Sequence, residues 1–148
     1  MNADAAIRCW EYLTGEVFMA VFESTEVAER IFGTLFEILL KDEQFTSQLR
    51  ASNLSIRLTQ TSPDCVLHVS ADALTVGAGA PEEATIRIKM SSDTAHQLWL
   101  GKLMMPTAIA TGKVRIRGKV ARVLELVPIL RPAFDRYPEL AAEEGLPV

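Results

Sequence analysis

The stretch that decides the fold is residues 54–90, LSIRLTQTSPDCVLHVSADALTVGAGAPEEATIRIKM. Apolar and polar residues alternate along most of it, a period of two that is typical of β-strands with one buried face. The alternation is interrupted at turn-forming residues such as Pro63 and Gly77. It therefore predicts four short strands, at 54–59, 65–70, 74–76 and 84–90. Because the connections are short, we expect antiparallel neighbours in a meander.

The residues before this stretch have a helical period instead. Ser24 and Thr25 are candidate N-caps, and apolar residues at spacings of three and four follow them to about Leu40. A second short helix is expected around Phe45 and Leu49. Nearer the N-terminus, 7–12 is predicted as a short helix, and 17–22 is compatible with either a strand or a buried helix.

Helical and strand patterns alternate after residue 90. Ser91, Ser92 and Asp93 predict the start of a helix that runs through Leu103 and is interrupted near Gly101. A fifth strand is predicted at 112–118. The last helical region begins at Val120 and is divided by Pro128 and Pro132.

These patterns predict a single α+β domain over residues 1–148, with a five-stranded, mostly antiparallel sheet covered on one face by helices. Residues 1–50 would form a helical N-terminal extension, and residues 51–142 the sheet and later helices.

Two function classes are disfavoured. The net charge of −4 argues against general nucleic-acid binding, and the longest stretch without a charged residue, 103–112, is too short to span a membrane. Asp4 precedes any apolar run, so we expect no signal peptide and a cytoplasmic location.

Residues with catalytic or metal-binding potential are few. Cys9 and Cys65 form no CxxC pair, which predicts neither a disulfide framework nor a zinc site. His68 is expected on the solvent face of a strand and His96 exposed near a helix start. No GxSxG, P-loop or HExxH motif is present. The sequence therefore predicts no catalytic residues, no metal site and no cofactor.

Two regions are candidates for function. The run from Leu98 to Ile109 is apolar and contains two methionines, whose flexible side chains suit ligands of variable shape. The same pattern also fits an ordinary core helix. Between Thr94 and Leu124 there are six basic residues and no acidic one, although the whole chain is acidic. This asymmetry fits either attraction of anionic headgroups or membranes or the protection of an edge strand.

The order of these motifs resembles a known family. The segments 92–93, 99–103 (WLGKL) and 108–118, ending in GKVRIRG, are similar to those of the sterol carrier protein two domain. The resemblance is specific between about residues 54 and 130. It implies a five-stranded sheet covered by helices, with an apolar tunnel between them. It also implies noncatalytic binding of a sterol, fatty acid, acyl-CoA or phospholipid.

The resemblance also implies a set of tunnel-lining residues. They are Trp99, Leu103, Met104, Met105, Ile109, Ala110, Val123, Leu124, Val127 and Leu130. The exposed basic residues Lys113, Arg115 and Arg117 would hold a headgroup or contact a membrane surface transiently. One departure is that 109–111 is Ile-Ala-Thr where animal members often carry an aromatic pair and a glutamine. Smaller side chains there would widen or reshape the tunnel.

Other functions and partners remain open at this stage. The chain is alternatively an accessory lipid-binding subunit of a lipid- or quinone-modifying enzyme complex, as related bacterial modules are. A third hypothesis is an enzyme acting on lipid thioesters through His68 or His96, for which no second catalytic group is evident. The N-terminal fifty residues would cover a tunnel mouth, form a homodimer contact or bind an enzyme partner.

Overall fold

The computed structural model describes residues 21–148. The helix predicted at 7–12, Cys9 and most of the segment 17–22 lie outside these residues. Helices α1 (Thr25–Leu40) and α2 (Glu43–Ala51) precede the sheet. Its strands are β1 (Ile56–Thr61), β2 (Cys65–Val69), β3 (Leu74–Val76), β4 (Ile86–Ser91) and β5 (Val114–Arg117). The later helices are α3 (Ser92–Trp99), α4 (Met105–Ala110), α5 (Val120–Leu126) and α6 (Arg131–Glu143), with a 3₁₀ turn at Val127–Leu130.

Both helices predicted before the sheet are confirmed, and each is capped by a side chain. Ser24 Oγ accepts a hydrogen bond from the backbone N–H of Val27 at 3.3 Å. Asp42 Oδ1 accepts one from the N–H of Phe45 at 3.0 Å. These bonds satisfy N–H groups that have no partner within the first turn, so they fix where the helices begin.

The sheet has the strand order β3-β2-β1-β4-β5. Three of its four pairings are antiparallel, which confirms the α+β class and the mostly antiparallel sheet. The predicted meander is wrong, because β4 pairs in parallel with β1 instead of following β3. The connection from β3 to β4, residues 77–85, must pass two strands, a distance of about 14 Å at ~4.8 Å per strand spacing. Nine extended residues reach about 30 Å, so this short connection is sufficient.

The crossing segment 77–85 is held by two side chains on the outer face of the sheet. Arg57 Nη1 donates to the carbonyl oxygens of Ala80 at 3.0 Å and Pro81 at 2.7 Å. His68, which pairs directly with Arg57 across β1 and β2, has Nε2 3.1 Å from the carbonyl oxygen of Glu83. His68 therefore lies on the outer face, as its position in the strand predicts, and has a structural hydrogen bond there.

Helix α3 ends at Trp99, which confirms the interruption predicted near Gly101. The backbone N–H groups of Gly101 and Lys102 bond back to the carbonyls of Leu98 and Gln97, and Gly101 has φ +76°. That is a helix-terminating arrangement in which glycine carries no steric penalty. The chain can then turn at 100–104 before α4 begins, which leaves an irregular segment beside the sheet.

The core lies between the inner face of the sheet and the helices. Helix α1 packs against β2 and β3, and α3 packs against β1 and β4. Alternate residues of β1, β2 and β4 are buried, and the residues between them face outward. Prolines 128 and 132 separate α5 from α6 as predicted, since each begins a new helical segment. Within residues 21–148, none of the helices is both long and apolar enough to cross a membrane.

Candidate functional site

A cavity of about 320 Å³ lies between the inner face of the sheet and the helices. That volume is at the lower end of the range of roughly 300–1,000 Å³ that ligand pockets occupy. The space is partly open to solvent, since some of its lining residues are exposed.

The sheet wall of the cavity comes from the inward-facing residues of β1 and β4. These residues are Ile56, Leu58, Gln60, Ile88 and Met90. None of them is among the site residues predicted from the sequence, although their period of two identifies the buried row. Periodicity alone does not show whether such a row faces a filled core or a cavity. Among the described residues that line the cavity, two side chains carry a polar group: Gln60, through its amide, and Trp99, through its indole N–H.

The helical wall contains most of the residues that the resemblance implied. The structure places seven of the ten on the cavity: Trp99, Leu103, Met104, Met105, Val123, Val127 and Leu130. Leu126 and Leu98 also line this wall. Phe36 of α1 and Phe45 of α2 extend it, so the first two helices contribute to the site as well.

Three of the ten implied residues lie elsewhere. Ile109 is half-buried and packs against the core, while Ala110 is exposed at the end of α4. Leu124 is 38% exposed, whereas its neighbour Val123 is 5% exposed and lines the cavity. Leu124 and Val123 differ in exposure because adjacent residues of a helix point about 100° apart, so only one of the two faces the sheet.

Trp99 anchors an aromatic cluster on the cavity wall. Its ring centroid is 6.0 Å from that of Phe36, in an edge-to-face arrangement, and 5.0 Å from that of Phe134. Both partners also line the cavity. These contacts connect α3 to α1 and α6, so the aromatic wall is held by three helices.

The mouth of the cavity lies at the irregular segment after α3. Met104 lines the cavity and is 64% exposed, the most exposed large apolar side chain among the described residues. Gly101, also exposed, lines it nearby. Both residues belong to the irregular segment 100–104.

The basic residues Lys113, Arg115 and Arg117 are exposed on or beside β5. Arg115 stands opposite Lys89, and Arg117 stands opposite Arg87, across the β4–β5 pair. Because Val114 and Ile116 occupy the inner face of the same strand, Arg115 and Arg117 point away from the cavity. We call Arg87, Lys89, Arg115 and Arg117 the basic face.

The two histidines do not reach the cavity. His96 was expected to be exposed, but it is 1% exposed and does not line the cavity. Its Nδ1 lies 2.7 Å from Tyr137 Oη and its Nε2 lies 2.7 Å from the carbonyl oxygen of Pro147. The C-terminal tail folds over this histidine, a contact between distant residues that a local pattern does not reveal. His68 is on the opposite face of the sheet.

The other potentially reactive groups among the described residues also offer no evident chemistry. Burial, assisted by Glu29, raises the pKa of the Cys65 thiol to about 12, which keeps it protonated and unreactive. Among residues 21–148 there is no group of three or more His, Cys, Asp or Glu side chains placed to hold a metal ion. The described part of the cavity thus offers apolar contact, the Gln60 amide and the Trp99 indole N–H.

Comparison with known proteins identifies the family. The model of the SCP-2 sterol transfer family matches residues 32–131, which is more than half of the chain. No curated protein matches the chain in sequence.

Several solved structures share the fold at low sequence identity. The apo form of Sterol Carrier Protein 2 from Yarrowia lipolytica is 19% identical, with a TM-score of 0.58 over 80% of this chain and 99% of that one. Sterol carrier protein domain 2 of Helicoverpa armigera is 18% identical, with a TM-score of 0.53 over 72% and 89%. A ubiquinone synthesis protein, UbiJ-SCP2, is 17% identical, with a TM-score of 0.52 over 72% and 95%. Taken with the family match, these likenesses of fold lead to one conclusion: this chain belongs to the SCP-2 sterol transfer family.

Proposed function

We propose that this protein binds a lipid in the cavity between its sheet and helices and carries or presents it without catalysis. The observation that carries this proposal is the cavity itself, whose described walls are apolar except for the Gln60 amide and the Trp99 indole N–H. Burial of hydrocarbon there supplies roughly 0.8 kcal/mol per CH₂ group. Sterols, fatty acids, acyl-CoAs and phospholipids all provide such hydrocarbon.

The basic face supports contact with an anionic membrane surface. Its like-charged pairs, Arg87 with Arg117 and Lys89 with Arg115, repel each other across the strands. Glu83, whose Oε1 lies 3.6 Å from Nη2 of Arg87, offsets part of the repulsion in the first pair. Negatively charged lipids would relieve that repulsion, at about 1 kcal/mol per basic side chain near the surface. Since Arg115 and Arg117 point away from the cavity, they suit a membrane surface better than the headgroup of a bound ligand.

The experiment that tests ligand binding is native mass spectrometry of the purified protein, followed by organic extraction. A retained lipid would support the proposal and give its chemical class. A protein that is empty, and that also fails to bind a fluorescent fatty acid, would contradict it.

A second function is that of an accessory subunit in a lipid- or quinone-modifying enzyme complex. It is favoured by the fold shared with UbiJ-SCP2, which is described as a ubiquinone synthesis protein. In that case the cavity would hold the lipid substrate for a partner enzyme. Co-purification of one partner at fixed stoichiometry would support this function, and a protein that acts alone in lipid transfer between vesicles would argue for the carrier.

A further inference from the structure

Gln60 carries the one amide side chain on the described cavity wall, which is otherwise apolar except for the indole N–H of Trp99. It occupies the inner face of β1 near the strand's end, paired with Cys65 on one side and Met90 on the other. Its side chain is 2% exposed and lines the cavity. Burying an amide costs free energy unless its hydrogen bonds are satisfied, so its partners are informative.

Within residues 21–148, the Gln60 side chain has one hydrogen-bond partner, the Ser92 hydroxyl, 3.3 Å from Oε1. Ser92 has one proton, and the carbonyl oxygen of Pro63 is closer to it, at 2.8 Å. If the Gln60 amide were turned over, Nε2 would instead donate to Ser92 Oγ. In either orientation, at least one of the two Nε2 hydrogens is left without a partner among these residues.

The Nε2 atom of Gln60 is not fully enclosed. No enclosed side-chain nitrogen or oxygen of the described residues lacks a partner, whereas Nε2 in the observed orientation has none among them. Gln60 lines the cavity, which provides open space beside this amide. A ligand there receives a hydrogen bond if it brings an acceptor.

The position of Gln60 defines which end of the ligand it meets. Gln60 contacts the first residue of α3, while the mouth at Gly101 and Met104 follows the last turn of that helix. Eight helical residues rise about 12 Å, so Gln60 lies well inside the cavity. None of the described lining residues is charged, so an ionised group is strongly disfavoured at this depth.

We infer that Gln60 selects lipids that carry an uncharged oxygen, a hydroxyl or a carbonyl, at the end buried deepest in the cavity. The inference rests on the proposed function and adds the polarity of the ligand's buried end. A purely hydrocarbon end would leave the amide without a partner, which disfavours that ligand relative to one with an oxygen.

The test compares laurate with its ω-hydroxy derivative. The ionised carboxylate keeps to the mouth, so the ω end is the one that reaches Gln60. Both ligands are titrated against the wild-type protein, the variant Gln60→Met, which retains the side chain's length, and the control Gln44→Met, an exposed site on α2. The readout is displacement of a fluorescent fatty acid.

We expect Gln60→Met to weaken binding of the ω-hydroxy ligand about three- to tenfold relative to binding of laurate. We expect Gln44→Met to leave the ratio of the two affinities unchanged. An unchanged ratio in a Gln60→Met protein that still binds laurate overturns this inference and leaves the proposed function standing. A wild-type protein that binds neither ligand overturns both.

A second measurement uses the wild-type protein alone, in case the variant fails to fold. The side-chain amide resonances of Gln60 are followed by NMR during each titration. A larger shift with the ω-hydroxy ligand than with laurate supports the hydrogen bond. Equal shifts with the two ligands contradict it.

Discussion

Tyr137 Oη lies 2.7 Å from Nδ1 of His96 and joins α6 to α3 inside the core. The other ring nitrogen, Nε2, is 2.7 Å from the carbonyl oxygen of Pro147. Because a carbonyl can only accept, Nε2 carries the proton and Nδ1 accepts the Tyr137 hydroxyl proton. The ring of Tyr137 also stacks near Phe32, with centroids 6.0 Å apart. This buried chain of hydrogen bonds fixes the C-terminal tail to the helical layer.

Replacing Tyr137 with phenylalanine tests the contribution of this bond. The variant leaves Nδ1 of His96 buried without a donor, so the free energy of unfolding should fall by about 1–3 kcal/mol. Urea denaturation followed by circular dichroism measures the change. In the double variant with His96→Phe, the free energy of unfolding should fall by less than the sum of the two single decreases, because the two residues are coupled. Additive losses would show that the bond contributes little.

The buried position of His96 predicts a pH-dependent stability. Burial lowers the pKa of His96, against the opposing effects of the Pro147 carbonyl and Asp93, and Lys102 lowers it further. The unfolded chain binds a proton near pH 6.5, whereas the folded protein binds it only at lower pH. The free energy of unfolding should therefore fall as pH decreases below about 6.5. Urea titrations at about pH 7.5 and about pH 5.5 measure this, and His96→Gln should reduce the difference. An unaltered pH dependence in that variant would assign it to other groups.

Two neighbouring residues of α5 provide a matched test of the cavity. Val123 lines it, while Leu124 is 38% exposed and does not. Val123→Trp should fill part of the cavity and lower the affinity for a fluorescent fatty acid roughly tenfold or more, about 1.4 kcal/mol. Leu124→Trp should bind as the wild type does. Thermal unfolding of both variants checks that the fold is kept, and equal losses of affinity would contradict the assignment of the cavity.

The basic face should show opposite effects on stability and on membrane binding. Arg117→Glu converts the like-charged pair with Arg87 into an attractive one, which should raise the free energy of unfolding by about 0.2–1 kcal/mol. The same change should weaken binding to vesicles containing anionic lipid about tenfold or more, since two units of charge are altered. Co-sedimentation with anionic and neutral vesicles measures the binding.

The control for that prediction is Lys41→Glu, which changes the net charge equally at an exposed site beside α1. It should reduce vesicle binding much less than Arg117→Glu. Equal reductions by the two variants would show that net charge, and not the basic face, governs the interaction.

The sequence was informative where the physical cause is local. Alternation at Ile86, Ile88 and Met90 predicted which side of β4 is buried, because successive side chains of a strand point to opposite faces. Ser24 marked the start of α1 because a capping side chain acts on the first turn beside it, which is also a local effect. Most of the implied cavity residues came from the family resemblance and not from the pattern.

By itself, then, the sequence determined the strands, the main helices, their buried faces and the family resemblance. Only the tertiary structure decided that β4 lies beside β1, that His96 is enclosed by Pro147, and that Val123 faces the cavity while Leu124 does not. Strand order and enclosure depend on contacts between residues far apart in the chain, which no local period encodes. The local pattern does not encode the cavity either, because an apolar helix face has the same spacing whether it packs against side chains or borders an empty space that a ligand can fill.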